Sequence, residues 1–439
     1  MKKFDRDKYL KQLKFKRVWC KYERYFYIGV PCLIIALLVM CTILNKNVIF
    51  ENNKVYLDNA IGAYIDGEYS KTIPGKSDGY VVQNIVCDNG AVGTWENDKW
   101  GLLTTNMTRK SKCNIYFETN KTFAGIIEAA SSDTSIFATD DPDNNIRYIG
   151  ADPSNYVYFN CSDYNNQSDN TCEKWRIIGV FNNVTKSDGT KENLVKIIRD
   201  ESIGNYSWDS SVSSINRGYG VNDWTDSDVM KLLNPGYESE SAGGSLYYNA
   251  KSGTCYCDSS NTTTSCDFTS TGLKNDITRN TIESAVWNLG GANSYSSSSN
   301  GLASHWYGYE RGTTVYSGRP TTWTGKIGLM YPSDYGYATG GGSSINRTLC
   351  LAKELLGWDS SSYTDCKNND YLFKSSYAQW TLASNSGFAH YVFRVYTLGD
   401  VAGNYAYLTR GVRPTLYLKS NISVKSGDGT SEIPYQLNL

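Results

Sequence analysis

Few residues on this chain are of the types that do chemistry, and their spacing decides how they read. His305 lies in ASHWYGYERG and His390 in GFAHYVFR, so a general base has only two imidazoles to draw on. His390 sits in a strand-like run and reads as structural. His305, beside Trp306 and Tyr307, reads as a binding or structural residue. No G-x-S-x-G, H-E-x-x-H or phosphate-loop motif occurs. Glycoside hydrolysis needs two placed carboxylates, and nothing in the spacing of Glu283, Glu310, Asp334 and Glu354 pairs them. Residues 140–145, DDPDNN, are hard oxygen ligands of the kind calcium takes. They lack the glycine and the terminal glutamate of an EF-hand loop, and read as a turn closed by Asx hydrogen bonds. Asp223, Asp226, Asp228, Asp258 and Asp267 are weaker hints of the same sort. Cys255-Tyr-Cys257 lacks zinc-site spacing and has no histidine nearby. These residues point to binding rather than catalysis.

The aromatics carry that expectation. Trp306, Tyr307 and Tyr309 form one cluster, and Tyr331, Tyr335 and Tyr337 a second. Both fall in Gly- and Ser-rich stretches; the alternatives are that at least one cluster contacts a ligand from exposed loops, or that half or more of the rings pack the irregular core. In an exposed loop a Tyr or Trp supplies rigid contact area and a ring face for a sugar. Arg311, Arg319 and Arg394 would add polar contacts. Arg413, in GVRP, is expected to be an internal fastener paired with a buried carboxylate. Trp175, Trp208, Trp224 and Trp287 are expected in the core.

The compartment follows from one segment. Residues 25–44, YFYIGVPCLIIALLVMCTIL, carry no charge and are long enough to cross a bilayer as a helix. The flank before them is dense in Lys and Arg, and the flank after is nearly neutral. The positive-inside rule therefore puts 1–24 in the cytoplasm as a short basic tail and the rest of the chain outside a plasma membrane. Formal net charge is −1, which gives nucleic acid no hold as a main partner. The chain has 35 Tyr and 11 Trp against 5 Met and 2 His in its 439 residues, a composition typical of β-rich extracellular proteins. Outside, disulfides persist. Proximity suggests Cys87–Cys113, Cys161–Cys172 and Cys350–Cys366, with Cys266 pairing either Cys255 or Cys257. The loop between Cys161 and Cys172 is then a stapled hairpin and not a redox site, because nothing nearby would lower a thiol pKa.

The elements that must hold these residues follow from pattern. Alternating runs across 45–119 predict a small β-sandwich-like module. A short helix over 121–130 and a turn-rich linker fill 120–150. The main domain spans 151–439. In it WRIIGVF and LVKIIRD predict a hairpin. Residues 222–236 predict a helix capped by Thr225 or Asp226, 276–291 a second and 349–358 a third. Strand-like runs dominate the remainder, so the fold class expected is β-rich α+β.

WRIIGVF, VKIIRDESIGNYSWD, DWTDSDVMKLLN, GKIGLMYPSDYGYA, WTLAS and GVRPTLYLKSNISVKSGDGTSEIPYQL, in this order, resemble a surface-domain family of low-GC Gram-positive and gut bacteria. Its layout is similar to the C-type-lectin-like domains of the formylglycine-generating-enzyme superfamily. The resemblance covers about 140–439. It implies a lectin-like domain with long stapled loops that binds an extracellular glycan or protein. A surface enzyme of that superfamily, or an assembly protein, are the alternatives. It implies no cofactor beyond a structural calcium.

Overall fold

The computed structural model describes residues 60–439 apart from 77, 79, 97–98, 120–121, 212–217, 257–262 and 294–300, with residues 11, 14, 50–51 and 54–56 upstream. The expected membrane span, 25–44, lies outside the described residues. Among the described residues no helix is long and apolar enough to cross a membrane. The chain divides into two units, 1–119 and 120–439.

The first unit holds a four-stranded sheet, a hairpin and a small three-stranded sheet of Phe50–Glu51, Lys54–Tyr56 and Thr72–Ile73. Strands β1 (Ile61–Ile65), β2 (Glu68–Ser70), β3 (Tyr80–Cys87) and β6 (Cys113–Thr119) form the sheet in the order β2-β1-β6-β3; β4 (Val92–Glu96) pairs β5 (Gly101–Thr105). Ala63, Ile115 and Phe117 alternate onto one face, where Trp95, Trp100 and Leu102 of the hairpin meet them. Cys87 and Cys113 stand directly opposite across β3 and β6 and are bridged.

The second unit begins earlier than expected. Residues 120–150 are part of it rather than a linker. They supply helix α1 (Phe123–Ala130), capped by the Thr122 hydroxyl, and strands β7 (Phe137–Ala138) and β8 (Ile146–Tyr148). Then follow β9 (Tyr156–Phe159), β10 (Glu173–Thr185), β11 (Lys191–Arg199) and β12 (Asn205–Ser207). The β10–β11 hairpin is the one its sequence predicts. Helix α2 (Asp228–Leu233) is capped by Ser227, two residues beyond the expected start, because Asp223 first caps a separate 3₁₀ turn. Strands β13 (Ser252–Tyr256) and β14 (Thr263–Asp267) form a hairpin. The helix expected over 276–291 stops at Thr281. Beyond it Ala285 and Trp287 alternate inward on strand β15 (Ala285–Asn288).

Two stretches expected as loops are helices: α3 (Ala303–Arg311), and, after β16 (Thr322–Gly325) and β17 (Ile327–Gly328), α4 (Pro332–Ala338). Residues 349–358 hold the end of a one-turn helix, Arg347–Leu351, and most of a 3₁₀ turn. Strands β18 (Gln379–Ser384), β19 (Tyr391–Val395), β20 (Val401–Tyr405), β21 (Thr409–Gly411), β22 (Thr415–Tyr417), β23 (Ser423–Ser426) and β24 (Gln436–Asn438) complete the chain.

A main sheet runs β7-β8-β10-β11-β22-β17, with β9 also on β10, and a second runs β12-β21-β18-β19-β20. One core of buried aromatics and aliphatics joins them, including Trp175, Trp208, Trp224 and Trp287. Cysteine bridges tie the loops at Cys161–Cys172, Cys255–Cys266 and Cys350–Cys366. Cys266 thus takes Cys255, its diagonal neighbour on the buried face of the β13–β14 hairpin, and Cys257 lies outside the described residues. The stapled 161–172 loop has a structural task. Gln167 within it donates to the Leu437 carbonyl and accepts from the Leu437 amide, which clasps β24.

Candidate functional site

Register puts Arg147, Gly179, Lys196 and Tyr417 in one row across β8, β10, β11 and β22. Gly179 contributes no side chain, and a Cβ there would meet the Ile146 carbonyl oxygen at 2.0 Å. The two cations flanking it converge on Asp334, at the first turn of α4. Arg147 Nη1 lies 3.0 Å from Oδ1 and Lys196 Nζ 2.5 Å from Oδ2. Arg147 Nε also reaches Asp141 at 2.6 Å. All four groups are buried. Burial alone would push the Asp334 carboxyl up; Lys196 and Arg147 overcome it and hold it below the ordinary range. Burial brings the Lys196 ammonium down to about 8, against the pull of Asp334.

The predicted aromatics surround these charges. The Lys196 ammonium lies 4.5 Å from the Tyr331 ring centre, and the Arg147 guanidinium lies 5.2 Å from that of Tyr337 and 5.8 Å from that of Tyr307. Tyr335 is fully buried, its hydroxyl donating to the Gly399 carbonyl, and Trp306 packs edge-on against Phe393. Tyr309 is half-buried against Trp306. Both clusters therefore lie on helices that turn their rings inward, and five of the six rings are buried rather than displayed. For Tyr307, Tyr331 and Tyr337 the physical reason is the pair of buried cations they line; Trp306 and Tyr335 are turned inward by packing on Phe393 and Trp358.

The other sequence candidates also find partners within the fold. Asp141 Oδ1 accepts from the amides of Asp143 and Asn145, so DDPDNN is the Asx-closed turn, and its second carboxylate is an ion-pair partner. Among the described residues no group of three or more His, Cys, Asp or Glu is placed to hold a metal. Glu310 is fully buried, accepting from the Ser333 amide and hydroxyl, and burial pushes its carboxyl up to about 7. Arg413 is an internal fastener, bonded to the carbonyls of Arg199 and Leu372 and to Gln379, with Asp200 4.0 Å away. Arg319 pairs Asp223 and Arg394 pairs Asp400. His305 is half-buried on α3, outside both features described next.

One exposed aromatic surface went unread. Tyr219, Phe388, His390, Tyr391, Tyr405 and Tyr407 come from three separate segments and touch one another ring to ring. Tyr391 and Tyr405 stand opposite across β19 and β20 with centres 4.7 Å apart. Tyr219 stacks on Tyr405 at 4.5 Å; His390 lies 4.9 Å from Tyr391, and Phe388 5.6 Å. None is buried, and Phe388 and Tyr219 are 46% and 36% exposed. The backbone beneath is fixed. Buried Asn222 donates to the carbonyls of Asn385, Phe388 and Tyr391, and the Tyr407 amide donates to the Tyr219 carbonyl. The local signal is the pair Tyr405 and Tyr407, at the end of β20 and in the turn that follows it.

Comparison with family models, curated proteins and solved structures finds no match.

Proposed function

We propose that this chain is a single-pass surface protein, anchored by residues 25–44 with its tail in the cytoplasm, whose C-terminal unit binds an extracellular glycan. The observation that carries the reading is the exposed surface of Tyr219, Phe388, His390, Tyr391, Tyr405 and Tyr407. Six contiguous rings at the surface, two exposed and four half-buried, leave apolar area in water that a ligand would cover. Their faces suit the C–H side of a sugar ring, and their hydroxyls and imidazole suit its edge. Asn222 holds the surface preformed, so little ordering entropy opposes binding. Cysteine-stapled loops and a β-rich core agree with the resemblance to C-type-lectin-like domains and with an oxidising exterior.

A protein ligand is the second reading, favoured by the exposure of Phe388, since aromatic anchors dominate protein interfaces. The test takes the oxidised full chain, held in a detergent with no sugar headgroup, onto an array of glycans and cell-wall polysaccharides, with calcium and with chelator. Specific binding of extended glycans is expected, and Phe388→Ala with Tyr219→Ala is expected to abolish it. Silence on every glycan from folded protein would overturn the glycan reading and turn the search to protein partners.

A further inference from the structure

A second feature of the C-terminal unit stands independently of that surface. A cavity of about 200 Å³ lies where the bulged end of β10, strand β15, the last turn of α3 and the end of β22 come together. Its lining includes the buried rings of Phe181 and Tyr417, half-buried Asn288, Thr185 and Arg311, and exposed Asp143, which marks its open side.

Its polar groups are open to a ligand. Tyr417 is 6% exposed, yet its hydroxyl makes no hydrogen bond among the described residues. The carboxamide of Asn288 and the hydroxyl of Thr185 likewise make none there, although both line the cavity. The charge at the opening, by contrast, is already balanced. The Arg311 guanidinium centre sits 3.3 Å over the Tyr307 ring centre; its Nη1 lies 3.3 Å from a Glu310 carboxylate oxygen and its Nε 3.7 Å from Asp143. An anion would meet the exposed Asp143 carboxylate, and Arg311, the one cation among the described lining residues, is already paired with Asp143. What remains is a set of hydroxyl and amide donors and acceptors beside two ring walls. The frame is rigid: the Asn182 amide donates to the Asn145 side chain, and its carboxamide donates to the carbonyls of Asp143 and Asn144. Size narrows the choice. Drug-sized ligands take roughly 300–1,000 Å³, so this cavity holds a single small ring and not an oligomer.

We infer that this cavity binds one neutral sugar ring, a hexose or an N-acetylhexosamine. The inner rings face its C–H surface, while Tyr417, Asn288 and Thr185 bond its hydroxyls.

The test is calorimetric titration of the full chain, in the same sugar-free detergent, with glucose, galactose, mannose, N-acetylglucosamine and glucuronate separately. At least one neutral sugar is expected to bind and glucuronate not to. Tyr417→Phe, which keeps the ring and removes only the hydroxyl, is expected to weaken binding about tenfold. Thr185→Val, at a half-exposed strand end, is the second variant should the first unfold. Phe388→Ala is expected to leave this binding unchanged, so failure here and failure of the aromatic-surface reading are told apart. Heat from no neutral sugar, from glucuronate alone, or undiminished in a folded Tyr417→Phe or Thr185→Val variant would overturn the proposal.

Discussion

Glu310 shows how one buried carboxyl couples this fold to pH. Its ordinary value is 4.5, and burial pushes it to about 7, against Arg311 and the Ser333 bonds. A carboxyl raised on folding stays protonated in the native chain while the unfolded chain has released its proton. Stability is therefore full below about 4.5, falls as pH rises through the window up to about 7, and is flat beyond it. Asp209, also pushed up to about 7 by burial beside Asp228, acts with the same sign. Burial also raises Asp228, Asp370 and Asp400, and Glu310→Gln removes one of these contributions. Urea unfolding at pH about 5 and about 7.5 is expected to show the wild type losing up to about 3 kcal/mol more across that interval than the variant. Equal losses would mean that Glu310 does not titrate on folding. None of this was legible in the sequence, where Glu310 and Asp334 were two scattered acids. What brings them together is α3 packing on α4, a tertiary fact with no local signal.

At the scale of elements, Gly179 is the point on which the charged row depends. The β8 backbone passes so close that a methyl group there would strike the Ile146 carbonyl. Gly179→Ala must push β8 from β10 and pull Arg147 out of line with Asp334. A loss of about 3 kcal/mol or more is expected by denaturant titration, well above a surface substitution, because overpacking and a disturbed buried ion pair add. A loss under about 0.5 kcal/mol would show that the strands part freely. Elements carried by one local stretch were legible: the β10–β11 hairpin reads as two largely apolar runs about a polar turn, and α1 as a short apolar segment capped by Thr122. The helices α3 and α4 did not, because Gly, Ser and Tyr favour loops locally. Burial overrode that preference, and all seven residues of α4 are buried. The aromatic surface failed for the opposite reason. Its rings lie at 219, 388–391 and 405–407, and only pairing of β19 with β20 makes them neighbours.

For the whole molecule, the reading of an outward-facing C-terminal unit has a direct check. Protease added to intact cells expressing the chain is expected to remove epitopes placed after residue 60 and spare one placed at the N-terminus. The stapled loops are expected to slow digestion until a reductant is added, since each short bridge restrains the unfolded chain by roughly 3 kcal/mol. An N-terminal epitope lost first, with the rest protected, would reverse the orientation.

The clasp of the last strands has a consequence in time. Strand β11 gains its partner β22 only through pairs such as Ile197 with Leu416, and Gln167 reaches its mate only at Leu437. A chain still being synthesised therefore carries the open edge of β11 for about half of its length, from residue 199 to residue 415, a ready target for mispairing. Such long-range closure makes folding slow and late. How long that edge stays uncovered is set by how soon residues 415–417 arrive to pair with it, and the closing of the last strands rather than the forming of the first is what limits the yield of folded chain.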